Sequence, residues 1–223
     1  MNIIEYADRE LLAMDLANKL AGEINAALRN DERVLFAVPG GTSPGPVFDA
    51  LCGATLDWAS VDVILTDERW VAQDDPRSNT RLVRERLLTD RAAAARLVPM
   101  YRPTGTPEEA LEDLSEAIRP RLPLSVLLLG MGEDMHCASL FPGAEGLEAA
   151  LAEDAPPLVA LRAPGVPEPR ISLTAPALDG ALSKHLLIMG EAKRAALERA
   201  QELDPMEAPI RAVMSGMTVH WAE

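Results

Sequence analysis

Along this chain, short unbroken apolar runs alternate with stretches whose apolar residues recur every three or four positions. Residues 8–29 carry Leu11, Leu12, Leu16, Leu20, Ile24 and Leu28 at helical spacing, which predicts an amphipathic helix. "RVLFAV" (33–38) ends at Pro-Gly-Gly and predicts a short buried strand. Residues 46–52 predict a helix, "VDVILT" (61–66) a second buried strand and "NTRLVRERLL" (79–88) another helix. "RAAAARLVPMY" leads into a Pro/Thr/Gly loop at 103–107. "PEEALEDLSEAIRPRL" then opens with Pro and acids in its first turn, a helix-start signal. "LSVLLLG" (124–130) predicts a third strand, and 155–169 a Pro-rich irregular region. "HLLIMG" (185–190) predicts a fourth strand, "EAKRAALERAQ" a helix and "MTVHWAE" a short closing strand.

Strands that alternate with helices and read as continuously apolar indicate an α/β fold. The expected architecture is a mostly parallel, Rossmann-like sheet with helices on both faces. A length of 223 residues at 48% apolar composition suits a single domain over 1–223 with a substantial core. In such sheets ligands bind at the carboxyl ends of strands, so the loops there carry the candidate chemistry.

Charge narrows the partners. At −14, the surface repels the phosphate backbone, so no nucleic acid is expected. A phosphorylated small molecule is repelled at long range too, and needs a local set of Arg, Lys and backbone N–H groups. No apolar run approaches the roughly 20 residues of a membrane helix, and the N-terminus has acids where a signal peptide has a basic region. The expectation is a cytoplasmic protein with no membrane partner, a monomer or weak homo-oligomer. Two cysteines, Cys52 and Cys137, make no disulfide framework, and no Cys/His spacing resembles a zinc site.

Three strand-end loops hold the unusual residues. In "VPGGTSPGPVF" (38–48), Gly40 and Gly41 permit tight backbone and close ligand approach, and Thr42, Ser43 and Pro44 open a helix. Free N–H groups at such a start favour an anion, although a plain glycine turn with an N-cap serine reads the same. The Gly-Lys-Ser/Thr element of a Walker loop is missing. In the second loop Asp67, Glu68 and Arg69 leave a wholly apolar strand, and Asn79 caps or precedes the next helix. In "GMGEDMHCASLFPG" (130–143), Asp134 and His136 stand two residues apart, a spacing that can fix an imidazole tautomer. The bland alternative is a histidine bonded to backbone. Ser139 lacks the Gly-x-Ser-x-Gly elbow of a nucleophile and reads as a helix-start or packing residue. Cys137 reads as inert packing.

Taken together, "PGGTSP", "TDERWV", "DDPRSNTRLVRERLL", "LLLGMGEDMHCASLFPG", "RISLT" (170–174) and "GEAKRAAL" (190–197) resemble the 6-phosphogluconolactonases of the glucosamine-6-phosphate isomerase/deaminase-like superfamily. The resemblance implies hydrolysis of 6-phospho-D-glucono-1,5-lactone to 6-phosphogluconate, the second step of the pentose phosphate pathway, without metal or cofactor. By position, His136 matches the family's proposed general base, and Asp67 and Asp134 match acids around the active site; either acid can hold the imidazole. Gly41, Thr42, Ser43, Arg170 and Lys193 match the phosphate-binding set, and Arg69 a basic residue near the substrate. The related deaminases place a glutamate five residues after the loop histidine, where this chain has Phe141. Two departures stand out. Met135 occupies a position where many members have Gly, which removes an easy φ > 0 conformation. Cys137 replaces a Thr, which loses a hydroxyl.

Overall fold

A computed structural model describes residues 2–223. In chain order the strands and helices are β1 (Asn2–Glu5), α1 (Arg9–Leu28), β2 (Val34–Val38), α2 (Gly45–Leu51), β3 (Val61–Leu65), β4 (Asp67–Arg69), α3 (Asn79–Arg86), β5 (Arg96–Val98), α4 (Leu111–Ile118), β6 (Val126–Gly130), α5 (Leu147–Leu151), β7 (Leu158–Leu161), β8 (Arg170–Leu173), α6 (Ala175–Asp179), β9 (Ser183–Met189), α7 (Glu191–Ala200) and β10 (Thr218–Ala222). Seven strands form a sheet in the order β1-β10-β9-β6-β2-β3-β5, and every pairing in it is parallel.

β2 and β3 are buried at every residue. A strand covered on both faces has no polar alternation, and this is why "VLFAV" and "VDVIL" read as apolar runs. Asp62 is the polar exception; its buried carboxylate accepts from Arg33, Arg96 and Arg121 near the amino end of β3. α1 starts at the N-cap Asp8, whose side chain accepts from the Leu11 N–H at 2.8 Å, and buries Leu12, Leu16, Leu20 and Ile24. These side chains join one continuous apolar cluster with Phe36, Phe48, Leu127 and Leu128.

From β2 the order runs through β3 to β5 on one side, and β6, β9 and β10 extend on the other. The order therefore reverses between β2 and β6. A crevice forms at the carboxyl ends of two strands whose connections depart in opposite directions.

A second sheet, β4-β8-β7, is antiparallel and lies outside the sequence expectation. It takes in Asp67–Arg69, which read as loop charges, and part of the 155–169 stretch, which read as irregular. β1 and β5 are likewise strands that no apolar run announced. The predicted helix from Pro107 is shorter than expected: α4 holds 111–118, with single 3-10 turns before and after it. No helix among the described residues is long and apolar enough to cross a membrane.

Candidate active site

A cavity of about 440 Å³ opens at the reversal between β2 and β6. The turn after β2 lines it with Gly40, Gly41, Thr42 and Ser43, β4 with Asp67 and Arg69, and β8 with Arg170. The loop after β6 adds His136 and Phe141, and α7 adds Lys193. The sequence-predicted residues thus converge on one wall system, except Asp134, which sits behind His136.

The imidazole is held from one side. His136 Nδ1–H donates to Asp134 Oδ1 at 2.5 Å, and Nε2 has no protein partner among the described residues. That hydrogen bond holds the Asp134 carboxyl below the usual carboxylate range, with the ion-pair attraction adding to it. Gly132 lies directly beneath: a Cβ there would overlap both the His136 ring and Asp134 Oδ1. The ring of Phe141 covers the imidazole, with centroids 4.1 Å apart and planes 30° apart. The Arg170 guanidinium carbon lies 6.0 Å from the centre of the same Phe141 ring.

Met135 keeps a left-handed backbone, φ +65°, and so does Ala138 at φ +50°. The left-handed turn is thus present with Met at position 135. The turn is closed by Met135 N–H to Gly132 C=O and Gly132 N–H to His136 C=O, both at 3.0 Å, and these bonds hold methionine in a conformation that glycine adopts freely. Cys137 is fully buried, and its thiol is pushed up to about 12 by burial, with Asp67 adding to the shift. That agrees with an inert packing role.

Asp67 does not bond to His136. Its Oδ2 accepts from Ser139 Oγ at 2.6 Å and lies 3.7 Å from Arg170 Nη1. Ser139 is fully buried, and its N–H donates to Ser172 Oγ on the adjoining strand. Arg69 and Arg170 are register partners across β4 and β8. Their Nε–H groups are buried without a protein acceptor. Burial pushes the Arg170 pKa down, Asp67 pulls it up and Arg69 pushes it down again.

In the turn after β2, Gly41 has φ +84°, a conformation that carries no penalty for glycine. α2 begins only at Gly45, with Pro44 at the cap and no side-chain cap bond, so Ser43 is not an N-cap. Thr42 and Ser43 remain on the cavity wall. Lys193 stands in the first turn of α7 and faces the same cavity. Among the described residues no three His, Cys, Asp or Glu side chains converge as a metal site requires.

Sequence reasoning missed three contributors. Phe141 is a wall of the site and stacks on His136. Asn79 lines the cavity and its Nδ2–H donates to Asp67 C=O at 2.9 Å; the N-cap of α3 is Ser78. Glu68 is fully buried and accepts four hydrogen bonds. Phe141 stacks within its own loop, while Glu68 and Asn79 act between β4 and the start of α3; the one available signal was an acid, Glu68, followed ten residues later by a Ser-Asn-Thr helix start.

A family profile described as glucosamine-6-phosphate isomerases/6-phosphogluconolactonase matches residues 7–221. A 6-phosphogluconolactonase of Pseudomonas aeruginosa is 38% identical over 213 residues, covering 94% of this chain and 90% of that protein. One from Rhizobium meliloti is 38% identical over 228 residues, covering 99% and 98%. The crystal structure of a 6-phosphogluconolactonase from Shewanella baltica superposes with a TM-score of 0.96 at 32% identity, covering all of this chain and 98% of the other.

Proposed function

The chain belongs to the glucosamine-6-phosphate isomerase/6-phosphogluconolactonase family, and we propose that it hydrolyses 6-phospho-D-glucono-1,5-lactone to 6-phospho-D-gluconate. One observation carries the reading beyond the relatives' names. A single cavity brings together an imidazole with one nitrogen held by a carboxylate, three cationic side chains and two glycine-loop hydroxyls.

Thr42, Ser43, Arg170 and Lys193 take the substrate phosphate through charge-assisted hydrogen bonds, which turns the lactone ring toward His136. Neutral His136 accepts a proton at Nε2 from a water as its oxygen attacks C1. Asp134 keeps the Nδ1–H tautomer that leaves Nε2 available, and stabilises the imidazolium that forms. Arg69 faces the oxyanion of the tetrahedral intermediate. The C1–ring-oxygen bond then breaks, His136 returns its proton to the departing oxygen, and the new carboxylic acid ionises. Asp67, fixed by Ser139, holds the Arg170 guanidinium against the cavity wall. No step calls for a metal or cofactor.

The test is turnover of freshly prepared lactone, corrected for spontaneous hydrolysis. Turnover at the spontaneous rate sinks the proposal. Glucosamine 6-phosphate serves as the comparison substrate: with Phe141 in place of the deaminases' glutamate, no group there can shuttle the ring-opening proton, and no ammonia release is expected.

A further inference from the structure

β4 is three residues long and is the outer strand of its sheet. Side chains alternate along a strand, so Asp67 and Arg69 share the face toward the cavity and Glu68 points the other way. There Glu68 meets the start of α3. Its Oε1 accepts from the N–H groups of Arg69 at 2.8 Å and Asn79 at 2.7 Å. Its Oε2 accepts from Ser78 Oγ at 2.9 Å and from the Thr80 N–H at 2.7 Å. Asn79 closes the clamp from the other side, through its amide to Asp67 C=O. The Asp67 carbonyl and the Arg69 N–H, both on a strand only three residues long, are thus satisfied by this one junction.

All four partners of Glu68 are donors, and among the described residues no basic side chain lies within ion-pair distance of it. Two donors thus converge on each carboxylate oxygen. A surface loop does not require a fully buried carboxylate with four donors. A short edge strand that must hold two side chains on one cavity wall does.

We propose that Glu68 is the positioning residue of this active site, clamping β4 to α3 so that Arg69 faces the substrate while Asp67 holds Arg170 in place. The inference rests on the lactonase reading, and the test separates the two. Glu68→Gln keeps the shape and turns an NH₂ group against two donors. The expected result is a folded protein whose kcat/KM for the lactone falls at least about tenfold, with KM raised and kcat lowered together. Asp62→Asn is the control: it neutralises another buried carboxylate, at the opposite end of the sheet, and is expected to lower Tm while leaving kcat and KM near wild type.

A folded Glu68→Gln within threefold of wild type, or a loss that Asp62→Asn matches at equal Tm, overturns the proposal. If Glu68→Gln does not fold, Ser78→Ala removes one donor of the four. A fall of about threefold or more in kcat/KM then supports the clamp, and an unchanged value overturns it. A wild type without turnover overturns the lactonase reading alone. Amide exchange at Arg69, Asn79 and Thr80 then decides: selective acceleration in Glu68→Gln, absent in Asp62→Asn, supports the clamp, and equal acceleration in both ends it.

Discussion

Arg69 and Arg170 sit directly opposite one another in the antiparallel register of β4 and β8, each with a buried Nε–H that no group among the described residues accepts. Like charges directly opposite on a sheet are destabilising. Asp67, 3.7 Å from Arg170, offsets one of them in part. An anion bound at Arg170 is expected to relieve the remaining repulsion. Each guanidinium lost removes a charged hydrogen bond, so Arg170→Gln is expected to raise KM about 10- to 100-fold with a smaller change in kcat. Inorganic phosphate or sulfate is expected to raise the Tm of the wild type and to do so much less in this variant. Steady-state kinetics and thermal shift measure the two effects; an unchanged KM removes Arg170 from the phosphate set.

His136 has its Nδ1 side committed to Asp134, and its Nε2 has no partner among the described residues. If Nε2 moves the proton, His136→Ala is expected to lose about 10²- to 10⁴-fold in kcat, with 6-phosphogluconate affinity retained. Single-turnover kinetics and product titration separate the two. A kcat within a few-fold of wild type removes His136 from the mechanism.

Asp134→Asn tests the support rather than the base. An amide can present either its oxygen or its NH₂ to Nδ1, and the second choice forces the wrong tautomer. The expected loss is up to about 10²-fold in kcat at unchanged KM. If the loss appears in KM instead, Asp134 serves binding.

How much of this was legible follows from burial. β2, β3 and β6 declared themselves because both faces are covered and no polar residue interrupts the pattern except Asp62, which three arginines satisfy. β1 and β5 lie at the edges, half exposed, so their short sequences carry no periodic signal. "DER" has no strand propensity at all; it is a strand because β8 pairs with it and α3 satisfies it from outside. In the site, the glycine turns and the Asp-x-His spacing are local features and can be read. The Ser139–Asp67 bond is long-range, the Glu68 clamp joins segments ten residues apart, and the stacking of Phe141 on His136 depends on how one loop folds back; no periodic pattern announces any of them.

The other two histidines lie away from the cavity, in a chain of hydrogen bonds from Asp15 through Tyr6, His220 and His185 to Glu23. His220 is fully buried, and its pKa is brought down to about 4, chiefly by burial and then by His185. Folded His220 stays neutral where the unfolded chain protonates, near pH 6.5. Its contribution is therefore intact above about pH 6.5 and is lost as pH falls toward 4, a change of about 3 kcal/mol. Urea unfolding at steps between pH 7.5 and 4 is expected to show this decline, and His220→Asn to flatten it. Equal slopes for the two proteins contradict the assignment.

Ala138 adopts φ +50° in the active-site loop, with only a methyl group to place. A left-handed conformation costs an L-residue about 1–2 kcal/mol, and glycine in its place carries none of that. Glycine also loses more freedom on folding, which returns up to about 1 kcal/mol of the gain. Ala138→Gly is therefore expected to raise unfolding stability by about 0.5–1 kcal/mol. Because Ala138 also lines the cavity two residues from His136, the softer loop is expected to lower kcat by less than about tenfold. Denaturant titration and lactone turnover on the same preparation measure both. A destabilised Ala138→Gly means that the methyl contributes packing worth more than the backbone strain it imposes.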